Sequence, residues 1–70
     1  MGTRPALIRA REARRLTRPE FAKLMGASRH YVYAVEMGLR NPSFDFMRRW
    51  IKALGPDATL DLFDNKSRAA

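Results

Sequence analysis

Apolar residues recur along this chain three and four apart, and each such run is bounded by residues that start or stop a helix. Leu7 and Ala10, with Leu16 just beyond, mark the inner side of a first helix over 4–15. Phe21 and Ala22 belong to a second over 18–25, and Val32 and Val35 to a third over 29–37 ended by Gly38. Phe44, Met47, Ile51 and Leu54 trace a fourth over 44–54. The first two helices open alike, on Thr3-Arg4-Pro5 and Thr17-Arg18-Pro19-Glu20. In each, threonine can cap while proline occupies the first turn, where a missing N–H costs little. Thr17 and Glu20 also have the spacing of a capping box. Asn41 precedes Pro42 and is held out of the helical region, so 39–42 reads as a loop. Ser43 caps the fourth helix, Asp45 suits its first turn, and Gly55-Pro56 stops it.

The junction between the second and third helices is the most informative segment. Ala22 is small where another helix must approach closely, Gly26 can take a positive φ, and Ser28 can cap the third helix. That helix buries Val32 and Val35 and turns Arg29, His30, Tyr33 and Ala34 elsewhere. Two short helices joined by a tight glycine turn form a helix-turn-helix, whose second helix fits the DNA major groove.

The tail 58–63 supports two readings. Leu60 and Leu62 alternate around Asp61 as in a strand, which would pair with its copy in a second subunit because no other strand exists. The competing reading is a short helix from Asp57 that buries Leu60 with Phe63. Residues 1–64 read as a single domain with its dimerising tail, and 65–70 as a disordered end.

Charge sharpens the picture. The net formal charge is +7, carried by 14 Lys/Arg against 7 Asp/Glu, and 11 of the basic residues are arginine. Residues 1–52 hold 12 basic and 4 acidic side chains (+8), whereas 53–70 hold 2 and 3 (−1). A basic face rich in arginine is the usual footprint of a nucleic-acid binder. With no cysteine and one histidine, neither a disulfide nor a metal site is expected, and no cofactor is implied. Charges interrupt every apolar stretch and 1–10 lacks a continuous apolar core, so neither a membrane span nor a secretory signal is read; the expectation is a cytoplasmic protein. A chain of this length buries only about 60% of its unfolded surface, which makes a dimer a natural source of further burial.

Arg11, Leu16-Thr17, Phe21-Ala22, Gly26, Ser28, Val32, Val35-Glu36, Gly38 and Asn41-Pro42-Ser43 together resemble the Cro/CI (XRE) helix-turn-helix family over residues 7–55. The resemblance implies an all-α, compact lambda-repressor-like bundle of four or five helices that binds operator DNA as a dimer, in a bacterium or phage. Leu54 with a strand-like Thr59-Leu60 after it is similar to HipB-type antitoxins, whose C-terminal strands pair across the dimer; that would add a toxin protein as a partner. Two positions depart from the family. Arg15 stands where glycine is frequent, at a cost of about 1 kcal/mol if the backbone there is left-handed. Arg18 stands where a glutamine contacts phosphate and braces the base-reading residues.

Resemblance and geometry then assign the DNA-facing residues. Ser28, Arg29, His30, Tyr33 and Ala34 lie at the start and outer side of the third helix. Arg29 is the first candidate for gripping guanine O6 and N7, with a phosphate contact as its plainer role. Tyr31 and Tyr33 each divide between packing and DNA contact. Arg18 and the Arg40-Asn41 loop are candidate phosphate clamps, and Arg4, Arg9, Arg14, Arg15, Arg48 and Arg49 read as general field or solvated surface. Relatives pair the arginine at Arg11 with the glutamate at Glu36, which implies a structural tie between the first and third helices. Phe46 and Trp50 belong either to a wide buried face or, with Leu60 and Leu62, to a dimer or partner surface.

The function implied is a dimeric, sequence-specific regulator of transcription, a repressor or an antitoxin, acting on double-stranded DNA at a palindromic operator. A coactivator-like module that bridges proteins without reading bases is the alternative. No phosphate-cradling glycine loop, metal set or nucleophile-base pair is visible, so no enzyme is expected.

Overall fold

The computed structural model describes residues 3–63; the tail end read as disordered, 65–70, lies outside the described residues. It is all-helical: α1 (Pro5–Ala13), α2 (Arg18–Met25), α3 (Arg29–Glu36), α4 (Phe44–Leu54) and a closing 3₁₀ helix (Leu60–Phe63). α2 packs on both α3 and α4, α1 lies against α3, and the 3₁₀ helix bridges α1 and α4.

The limits of α2 and α4 arise from local chemistry. The Thr17 hydroxyl accepts from Glu20 N–H at 3.2 Å while Glu20 Oε1 accepts from Thr17 N–H at 2.8 Å, a complete capping box. Ser43 Oγ accepts from Phe46 N–H at 3.2 Å and caps α4. α1 is shorter than its apolar spacing suggests at both ends. Arg4 is its N-cap without a side-chain cap bond, and its other end is closed by Arg15 at φ 60°. Arg15 N–H donates to Glu12 O at 2.8 Å, so a non-glycine residue here occupies the left-handed region where glycine is at ease. Arg15→Gly is therefore expected to stabilise the domain by about 1 kcal/mol, which corresponds to a rise of roughly 4–8 °C in thermal midpoint. An unchanged or lower midpoint would mean that the arginine side chain contributes more than its backbone costs.

Gly26 sits at φ 74°, ψ 35° and closes α2, with Ala27 N–H donating to Ala22 O at 2.9 Å. A Cβ at Gly26 would meet nothing nearer than 3.9 Å, so the dihedral and not lack of room calls for glycine.

Leu7, Phe21, Ala22, Met25, Val32, Val35, Trp50 and Leu54 form the core. Trp50 is its centre. Its ring lies 5.7 Å from Phe21, 6.2 Å from Tyr31 and 5.7 Å edge-on from Phe63. Its exposure is 0%, which corrects its assignment to a dimer or partner surface: the four-helix geometry turns this side of α4 onto α2. Its Nε1 has no hydrogen-bond partner among the described residues, a cost of about 1–3 kcal/mol. Burial of an aromatic side chain of this size outweighs that cost. Phe46 is half-buried against Tyr31, ring centres 4.8 Å apart, with the Arg49 guanidinium over it at 4.9 Å. Phe44, expected on the inner side of α4, is instead 59% exposed.

The tail does not form a strand. Leu60–Phe63 turns as a 3₁₀ helix, and this corrects the alternating-strand reading. A strand needs a partner, whereas a turn lets Leu62 and Phe63 pack onto the core of the same chain. Leu62 is half-buried against the core of its own chain; Leu60 stays 48% exposed, so the competing helix reading fails at that residue.

Candidate nucleic-acid interface

The exposed side of α3 begins at its cap. Ser28 accepts from Tyr31 N–H at 3.1 Å, and no acidic residue occupies the first turn. The partial positive charge of the helix start is thus uncompensated, as an approaching phosphate requires. Arg29 and His30 stand exposed in that turn, and Tyr33 lies one turn later at 45% exposure. Together with Arg18 and Pro19 from α2 they line one open cleft of about 440 Å³.

Arg18 is held on two sides. Its Nε–H donates to Glu36 Oε1 at 2.8 Å, and its guanidinium lies 5.1 Å from the centre of the Tyr33 ring. Glu36 is completely buried at the end of α3. It also accepts twice from Arg11, Nε–H to Oε2 at 2.7 Å and Nη2–H to Oε1 at 3.2 Å, while Arg11 Nη1–H donates to Leu16 O at 2.8 Å. One carboxylate therefore joins α1, the N-terminus of α2 and the end of α3.

The structure brings Arg18, Arg29, His30 and Tyr33 into one cleft, which the other sequence-selected residues do not line. The Ser28 hydroxyl is engaged as a cap. Ala34 is half-buried, and its carbonyl accepts from Leu39 and Arg40 N–H at 2.8 and 3.3 Å. Arg40 and Asn41 lie beyond the opposite end of α3. Tyr31 is half-buried in the aromatic cluster.

Arg4 is the residue that sequence reasoning missed. Placed with the solvated arginines, it is in fact buried. Its Nη1–H donates to Val35 O at 2.7 Å and Arg40 O at 3.1 Å, Nη2–H to Asn41 Oδ1 at 2.7 Å, and Nε–H to Phe63 O at 3.2 Å. One of these acceptors, Val35 O, lies in the last turn of α3, where a cation also meets the negative end of the helix dipole. Asn41 accepts through Oδ1 in this structural role, which leaves its Nδ2 amide as the group that can donate to a phosphate. Nothing in Thr3-Arg4-Pro5 signals partners 31 to 59 residues away.

Of the apolar residues assigned to a partner surface, only Leu60 is exposed; with Phe44, Arg48, Ile51 and Lys52 it lines a shallow groove on the outer side of α4. Among the described residues no helix is long and apolar enough to cross a membrane.

A family model for a helix-turn-helix domain matches residues 6–63. No curated protein and no solved structure matches the chain.

Proposed function

We propose, for a chain that belongs to the helix-turn-helix domain family, a regulator of transcription that binds operator DNA as a homodimer, with α3 of each subunit in a major groove. The cleft of Arg18, Arg29, His30 and Tyr33 on the outer side of α3 carries this reading, because it offers donors for base edges where the recognition helix enters the groove. Two such helices call for a palindrome with half-sites about one turn, or roughly 34 Å, apart. The residues quoted for the Cro/CI (XRE) resemblance favour a repressor. The antitoxin variant of this reading leaned on a tail strand; with Leu60–Phe63 folded onto its own chain, that support is withdrawn. Phe44, Ile51 and Leu60 supply the apolar surface for subunit contact in place of Trp50 and Leu62.

Selection of bound duplexes from a random library at about physiological salt is expected to return such a palindrome. Arg29→Ala should then lose about 1–3 kcal/mol of discrimination at a single base-pair position. A uniform loss over all sequences would reduce Arg29 to a phosphate contact. No recovered motif from folded protein would favour the protein-bridging module instead.

A further inference from the structure

We propose that Arg18 is a base-reading residue that grips a guanine, with Glu36 and Tyr33 as the residues that position it. This rests on the operator-binding reading and adds to it a second arginine with a defined base.

The guanidinium has three edges, and the structure uses them unequally. Nε–H is committed to Glu36 at 2.8 Å. Among the described residues Nη1 and Nη2 make no hydrogen bond, so the end that can span guanine O6 and N7 is left unassigned. The Tyr33 ring, 5.1 Å away, gives the guanidinium a second contact, on the side of α3. Because Tyr33 belongs to the outer side of α3, the Arg18 head is drawn over the recognition helix, into the cleft it shares with Arg29 and His30.

Glu36 makes this hold firm. It is wholly buried and fastened by Arg11 through both oxygens, so Arg18 is tied to an anchor that does not follow solvent. The same carboxylate offsets part of the Arg18 charge. A phosphate, which rewards charge, gains less from such an arginine than from an unpaired one. A neutral base edge, which rewards the direction of the donors as well as their charge, loses less. An arginine already fixed in place also has little rotamer freedom left to lose on binding.

The test compares wild type, Arg18→Ala and Tyr33→Leu in selection from the random duplex library, and then in binding to the recovered site with 7-deazaguanine placed at each guanine in turn. Arg18→Ala is expected to lose guanine preference at one position per half-site, on the order of 5–150-fold, while the other positions keep theirs. Wild type should weaken when that guanine lacks N7, and Arg18→Ala should not weaken further. Tyr33→Leu changes an exposed side chain and should lose the same position, with Tyr33→Phe, which retains the ring, restoring it. These two variants and the 7-deazaguanine duplexes decide the matter even if Arg18→Ala does not fold. Equal loss at every sequence, with a salt slope smaller by about one, would overturn the proposal and make Arg18 a phosphate clamp. A wild-type selection that returns no motif would overturn the operator reading itself.

Discussion

Glu36→Gln is expected to destabilise the protein by about 3–5 kcal/mol, because it leaves the buried Arg11 guanidinium without its counter-charge. Arg18, whose side chain is 32% exposed, can turn back to water, but Arg11, at 7%, cannot. The remaining Arg11 bond to Leu16 O compensates a single N–H. A domain of this size rarely has more than about 3–5 kcal/mol in total, so the variant should be largely unfolded at room temperature. Urea titration monitored by circular dichroism would read this directly. The double variant Arg11→Met, Glu36→Leu should recover much of the loss, since removing both charges is cheaper than orphaning one. A single-variant loss below about 1 kcal/mol would mean that Arg11 is hydrated and that the three-helix tie contributes little.

The second large effect is at Trp50. Trp50→Ala is expected to lose about 3–5 kcal/mol through a cavity bounded by Phe21, Tyr31 and Phe63. The control is Phe44→Ala on the same helix, more than half exposed, for which a change within about 0.5 kcal/mol is expected at dilute protein concentration. The same denaturation measurement separates core from surface. Normal folding of Trp50→Ala accompanied by loss of self-association would return Trp50 to a partner surface.

The elements around the site were legible in the sequence because their signals are local: Thr17 and Glu20 three apart, Ser28 and Ser43 each bonded to an N–H three residues on, and Gly26 with its positive φ. α2 and α4 start and stop at the residues these signals mark. The inward side of α4 was not legible. Phe44, Phe46, Met47, Trp50, Ile51, Ala53 and Leu54 are apolar over so much of the helix that spacing alone admits more than one inner face.

Only packing selects Trp50 and Leu54, because Phe21 and Phe63 come from elsewhere in the chain to meet the indole ring. Part of the candidate site shares this character. Arg29, His30 and Tyr33 could be named from their place on α3, whereas the stacking of Arg18 on Tyr33 and its bond to Glu36 join residues 15 and 18 positions apart.

Sequence alone was enough for α2, α3 and α4 with their Thr17, Ser28 and Ser43 caps, for the glycine turn and for the arginine-rich charge; the caps and the turn depend on neighbours within about one helical turn. Tertiary structure alone decided which aromatic became the core, that Arg4 would be buried, and that the tail would turn inward. The physical reason is that a guanidinium or an apolar ring is satisfied by whichever partners close packing brings to it. Those partners are set by the path of the whole chain: Arg4 reaches Asn41 and Phe63, and Phe63 completes the enclosure of Trp50.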